Sequence, residues 1–195
     1  QFLIWFLQQL ENKKFSRLDL AFDMIDVDVK GYLPYVFGAS KSLFYDRAWN
    51  LGTIYAGARS SKSQIRFYDK KAERKHAGYE VKDLSFWRLE LQLRGNRTEI
   101  WRDDCAKKLG QFYKLEPHGV KNLNDKVLLL AMKQDPNIYK EFSKNTQTKI
   151  RKMMKQPDNQ EYTVTRMLLY CLEENYEKLE QELNFYLAEF GIEKD

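Results

Sequence analysis

Three segments of this chain alternate apolar and polar residues with period two, the pattern of a half-buried β-strand. In residues 15–24, Leu18, Leu20, Phe22 and Met24 fall on one side and Arg17, Asp19, Ala21 and Asp23 on the other. Residues 63–69 set Ile65 and Phe67 against Arg66 and Tyr68, with Lys70 next in the polar phase. Residues 85–94 set Leu89, Leu91 and Leu93 against Arg88, Glu90, Gln92 and Arg94. A further strand over 53–56 is joined to the second of these by the Gly- and Ser-rich turn 57–62, which predicts a hairpin. Residues 70–77 read as a helix stopping at Gly78, and 31–42 as a short helix. Asn96 with Glu99 three residues later predicts a capping box opening a helix that runs to about Leu109.

Beyond that point the periodicity is helical only, with segments near 122–134, 136–155 and 161–190 separated by Pro136 and by Gln156-Pro157-Asp158-Asn159. The last carries Val164, Leu168, Cys171, Leu172, Leu179, Leu183, Tyr186 and Phe190 along one stripe, read as packing on its own domain with a dimer contact as the alternative. Residues 2–13 read as an apolar buried helix. Their apolar run, Phe2 to Leu7, is far short of a membrane span and lacks a basic leader and a cleavage site. The first residue is Gln, so the chain is read as a fragment without its natural N-terminus. The expected fold is α+β: an antiparallel β-sheet with helices packed on one face, followed by an all-helical C-terminal region. The division expected is 1–116 and 117–195.

Composition narrows the class. With 195 residues, 43% hydrophobic and 14% aromatic, the chain can bury a real core and is not disordered. Cys105 and Cys171 read as reduced core cysteines of a cytoplasmic protein, and with only His76 and His118 present there is no zinc-ligand spacing. Residues 52–59 place Ala58-Arg59 after Gly57 where a phosphate loop would need Lys-Ser/Thr, so no NTP hydrolysis is expected. The net charge is +5 and unevenly placed. Lys140, Lys144, Lys149, Arg151, Lys152 and Lys155 face Glu141 alone between 140 and 156, whereas 161–195 holds nine acids against three bases. A polyanionic partner would therefore meet the first of these segments.

The chemistry is carried by the polar phases of the strands. A tyrosine flanked by cations, as Tyr68 is by Arg66 and Lys70, is suited to nucleophilic attack on a phosphodiester, because nearby positive charge favours the phenolate. Arg66, Lys70 or Arg88 would lower its pKa or grip the phosphate. Asp19 and Asp23 lie about 13 Å apart along one strand, so both cannot ligate one ion directly, but either could do so with Glu90 from a neighbouring strand. Hard oxygen donors of this kind would hold Mg²⁺ or Mn²⁺. His76 could approach the same site from the helix after the tyrosine strand, or stand as a plain surface histidine.

At these residues the chain resembles the replication initiation factor family, the Rep_trans group of rolling-circle initiators of Gram-positive plasmids and mobile elements. The resemblance lies in Arg17-Leu18-Asp19-Leu20-Ala21-Phe22-Asp23, in Thr53-Ile54-Tyr55-Ala56-Gly57-Ala58-Arg59-Ser60-Ser61 leading into Arg66-Phe67-Tyr68-Asp69-Lys70, and in Trp87-Arg88-Leu89-Glu90-Leu91-Gln92-Leu93-Arg94. All three blocks stand in family order; Ala58 departs from it where a small polar residue is expected. The resemblance implies a nicking-domain-like sheet and a DNA strand transferase that cuts one strand at the double-strand origin of a plasmid. Its tyrosine, matching Tyr68, would become joined to the 5′ end, with a divalent metal among the carboxylates. It also implies homodimers, recruitment of a host helicase, and origin recognition in the C-terminal part, here the basic 140–156 segment. The competing readings are a DNA-binding copy-control or partition factor without chemistry, and a metal-dependent nuclease in which Tyr68 is structural.

Overall fold

The protein, seen here as a computed structural model, is described over residues 13–48 and 50–189. The expected helix over 2–13 thus falls almost wholly outside the described residues, as does Phe190. In chain order the elements are β1 (Arg17–Ile25), β2 (Tyr32–Pro34), β3 (Lys41–Tyr45), β4 (Leu51–Ala56), β5 (Ser63–Asp69), α1 (Lys70–His76), β6 (Phe86–Arg94), α2 (Trp101–Leu109), β7 (Phe112–Leu115), α3 (Leu123–Gln134), α4 (Lys144–Met154), β8 (Gln160–Glu161) and α5 (Thr163–Glu189). The expected α+β class is what the chain adopts. The main sheet has five strands in the order β1-β6-β5-β4-β3, every neighbouring pair antiparallel.

Burial follows the alternation. Leu89, Leu91 and Leu93 of β6 are fully buried, as are Ile65 and Phe67 of β5 and Ile54 and Ala56 of β4. Phe22 and Met24 of β1 join the same core, and Trp101, Cys105 and Leu109 of α2 with Val164, Leu168 and Leu172 of α5 complete it from the helical side. The stripe on α5 therefore packs within the chain at its N-terminal half, while Cys171 and Tyr186 are exposed. Both cysteines are free thiols as expected, but only Cys105 is in the core; Cys171, expected there too, is exposed. Among the described residues no helix is long and apolar enough to cross a membrane.

Four expectations need correction. Residues 31–42 do not form a helix: β2 and the start of β3 lie there, because the apolar Tyr32, Leu33, Tyr35 and Val36 are buried from both sides of an extended chain. Nor is the C-terminal part helical only. β7 and β8 pair with β2 in a second sheet of three strands, order β2-β7-β8, which joins residues on either side of 116. The capping box does not form; residues 95–97 make a 3₁₀ turn and α2 begins at Trp101. Asn96 instead accepts a hydrogen bond from Lys62 at 3.1 Å, and Glu99 pairs with Lys14 at 3.0 Å. The expected helix 136–155 is split into a 3₁₀ turn capped by Asp135 and α4, whose N-cap Ser143 accepts from the Thr146 backbone.

Two local devices set the geometry of the tyrosine strand. Gly57 takes φ +105 in the β4–β5 turn, where a Cβ would lie 2.8 Å from the Ser63 carbonyl oxygen. At the other end of β5, the Asp69 carboxylate caps α1 by accepting from the Ala72 backbone at 2.8 Å. Gly57→Ala should destabilise the fold by about 1–3 kcal/mol, since it combines a strained φ with a backbone clash. Gly78→Ala, at φ +85 but with nothing within 4 Å, should cost clearly less. Denaturant midpoints of the two variants check the ordering.

Candidate active site

Because the strands are all antiparallel and in register, their polar residues form rows across one face of the sheet. One row runs Asp23, Arg88, Tyr68, Thr53 through β1, β6, β5 and β4; the next runs Ala21, Glu90, Arg66, Tyr55. Asp19 stands in a third row opposite Gln92. The residues singled out in three separate stretches of sequence are thereby neighbours in space.

Tyr68 is the centre of this face, yet it is only 2% exposed. The Arg66 guanidinium lies over its ring at 3.7 Å from the centroid, and the Lys70 ammonium stands 5.6 Å away. Both distances fit cation–π contacts. The phenol donates a hydrogen bond to Glu90 Oε1 at 2.9 Å. Glu90 Oε2 accepts from Arg66 at 3.4 Å, and Arg88 stands 3.8 Å from Glu90 Oε1. Arg88 is held mainly by Asp23, through a two-pronged contact at 2.5 and 2.7 Å. The Arg66 Nε is buried without a hydrogen-bond partner.

Arg66 acts to lower the Tyr68 pKa, as expected of a flanking cation, but the net shift is upward. Burial pushes the phenol up to about 12, the hydrogen bond to the Glu90 carboxylate adds to this, and Arg66 opposes it only weakly. At neutral pH the tyrosine is a neutral donor whose proton already points at a carboxylate. Lys70, the first residue of α1, is bonded to Glu73, which also stands 3.8 Å from Arg66. Glu73 went unnoticed in the sequence. Its signal was the spacing, three residues after Lys70 and seven after Arg66, which brings a helical acid back over the strand it follows. His76 ends α1 at the surface.

The three carboxylates expected to hold a metal are on one face but each is held by an arginine: Asp19 by Arg17, Asp23 by Arg88, and Glu90 by Arg66. Their donor chemistry suits Mg²⁺ or Mn²⁺. Among the described residues, however, no three His, Cys, Asp or Glu side chains stand together as a ligand group. A cation would have to share Asp23 and Glu90 with Arg88, which lies between them.

The basic segment divides. Lys149 is paired with Asp125 of α3 at 2.5 Å, and Arg151 lies over the rings of Phe37 and Tyr139 at 5.6 and 5.4 Å. Lys140, Lys144, Lys152 and Lys155 are exposed. On α4 and its C-cap, Lys144, Arg151 and Lys155 fall within roughly 40° of one another around the helix axis.

Residues 45–179 match the replication initiation factor family. The chain belongs to that family. Two curated relatives, both replication initiation proteins of Staphylococcus aureus, are each 30% identical to it, over 96% and 98% of this chain. The chain spans about 60% of the length of these relatives. The solved rolling circle replication initiator protein of Geobacillus stearothermophilus is similar over 68% of this chain and 60% of its own, at 22% identity and a TM-score of 0.38. The family match takes in β4 through most of α5, with Tyr68, Arg66, Arg88 and Glu90, and omits β1 with Asp19 and Asp23.

The coupling of Tyr68 to Glu90 is open to titration. Glu90→Gln should bring the Tyr68 pKa down from about 12 toward the ordinary 10.0 without reaching it, because the burial remains. A phenol raised on folding contributes stability that is intact below pH 10 and is lost as pH climbs through its folded value. The Cζ chemical shift of isotope-labelled tyrosine, assigned by comparison with Tyr68→Phe, follows the ionisation directly. An unmoved titration in the Gln variant would mean that burial alone sets the value.

Proposed function

We propose that this protein is a rolling-circle replication initiator that nicks one strand of double-strand origin DNA, with Tyr68 as the nucleophile. The observation that carries the reading is the Tyr68 hydroxyl donating to Glu90 while two arginines and a lysine crowd the same spot. In the proposed step the Tyr68 oxygen attacks the scissile phosphorus and its proton passes to Glu90. The bond from phosphorus to the 3′ oxygen breaks, that oxygen takes up a proton to leave as a 3′-hydroxyl, and a 5′-phosphotyrosyl ester remains. Glu90, expected as a metal ligand, thus serves first as proton acceptor. Such an acceptor is required because a phenol with a pKa of about 12 does not ionise unaided at neutral pH. Arg88 and Arg66 offset the charge that develops on the phosphate, and the unpartnered Arg66 Nε is a donor that a phosphate oxygen would satisfy.

A divalent cation belongs to the proposal as well. Glu90 with Asp23 or Asp19 would hold Mg²⁺ or Mn²⁺, which would supply polarisation of the phosphate. The exposed cations of residues 140–155 would contact the duplex backbone. A homodimer partner and a host helicase complete the proposed assembly. One observation favours the reading without chemistry: Tyr68 is closed off behind Arg66, so DNA must displace a guanidinium before the hydroxyl can be reached.

Tyr68→Phe keeps the ring packing and should leave DNA binding intact while abolishing nicking and the covalent adduct. The assay is supercoiled origin DNA with Mg²⁺, followed by denaturing electrophoresis for DNA-linked protein. An adduct that persists in the Phe variant would move the role to another tyrosine, Tyr55 first, since it stands opposite Arg66 on the same face. In the same assay EDTA should suppress cleavage, and full activity in EDTA would remove the cation from the proposal.

A further inference from the structure

Away from Tyr68, a pocket of about 490 Å³ opens between the 36–41 segment and the start of the C-terminal helical region. Three cations converge on it: Lys41 from the first position of β3, Lys140 from the 3₁₀ turn, and Arg151 from α4. No aspartate or glutamate lines it. Among the described residues none of the three makes an ion pair with a carboxylate. Asp135, whose charge favours the Lys41 ammonium, does not line the pocket and accepts the Asn137 backbone N–H at 2.8 Å. Cations left unpaired inside one concavity repel each other, and a protein that keeps them there has an anion to place between them.

The rest of the pocket holds its donors still. Phe37 and Tyr139 meet at 5.4 Å with their rings tilted by 56°, and the Arg151 guanidinium lies over both, so its planar fork is oriented before any ligand arrives. Lys41 is half-buried; that burial and Lys140 disfavour its ammonium while Asp135 favours it, and a phosphate would add a second favourable charge. Ser40 adds a hydroxyl at the rim. The aromatic rings are engaged with Arg151, so the pocket offers charge and hydrogen-bond donors in place of a stacking platform.

We infer that this pocket, built by Lys41, Lys140 and Arg151, is a binding site for one backbone phosphate of DNA. The occupant is a polyanion because two further exposed cations, Lys144 and Lys155, share the side of the helix occupied by Arg151, outside the pocket itself. Its place in the sheet connects it to the chemistry. Lys41 pairs with Ala56 on the core side of β3, while the next residue, Ser42, pairs with Tyr55 on the face that carries Tyr68. β3 stands two strands from β5, about 10 Å at ordinary strand spacing. DNA anchored at the pocket is therefore held at the edge of the sheet round which it must pass to reach the tyrosine. That route rests on the proposed nicking activity; the phosphate site itself does not.

The test is the salt dependence of binding to a short labelled duplex and to the matching single strand, read by fluorescence anisotropy. Lys41→Met keeps the length of the side chain and removes the charge. It should lower the slope of log affinity against log salt by about 0.9 on duplex and about 0.7 on single strand, the loss of one phosphate contact. Lys140→Gln, at an exposed position, should do the same and carries the test if the Met variant melts early. Lys178→Gln, on the acidic helix α5, should leave the slope alone. An unchanged slope in both Lys41→Met and Lys140→Gln overturns the site. So does stabilisation of the wild type by inorganic phosphate to the same melting temperature as by duplex, which would make this a small-anion site. If the slope falls but the wild type forms no Tyr68 adduct, the nicking reading fails and the pocket stands. If the adduct forms and the slope does not fall, the pocket fails alone.

Discussion

Strand β6 is paired on both sides, to β1 and to β5, and those two registers decide what each face of the sheet carries. With period-two side chains, a slip of one residue on either side would turn Leu89, Leu91 and Leu93 to solvent and bury Arg88 and Glu90 in the core. The burial of three leucines is thus what holds the arginine and the glutamate in place beside Tyr68. The site is not assembled by its own ion pairs, which at a half-open sheet face contribute little; it is assembled by hydrocarbon on the far side of the same strands.

Within that frame the polar face settles its charges by exchange across strands. Each acid meets an arginine, and Tyr68 donates to the Glu90 oxygen that Arg88 approaches only at 3.8 Å, leaving the other to Arg66. Adjacent cations in the sequence therefore do not produce a phenolate. Arg66 contributes a face-on contact that packs the ring, and packing removes water, which disfavours ionisation more than the positive charge favours it.

The long strands were legible because one face of each is buried, and nine residues of alternation in β1 or β6 leave no other reading. The second sheet was not. β2, β7 and β8 have three, four and two residues, too few to show a period, and Tyr32, Leu33 and Val36 fall at spacings that a helix would share. Asn96 and Glu99 had the right types for a capping box, but Lys62 and Lys14, distant in sequence, took both side chains. The candidate residues of the site were recognisable from their strand phases. What the linear chain could not disclose was that Asp23 would hold Arg88, that Glu90 would accept the phenolic hydrogen bond, and that Lys41 would line one pocket with Lys140 and Arg151.

Tyr68 and Asp69 are the last two residues of β5, and Asp69 is already the cap of α1. No loop separates the tyrosine from the helix, so its backbone has almost no freedom left to lose when it engages a substrate. For a tyrosine that reacts as proposed, the entropy of reaching that geometry is removed at folding and not at each encounter. In the proposed reaction, motion in such an arrangement would belong to the partner: a nucleic-acid end would swing past a fixed oxygen, and a hydroxyl returning to reseal the strand would find that oxygen where it had been left.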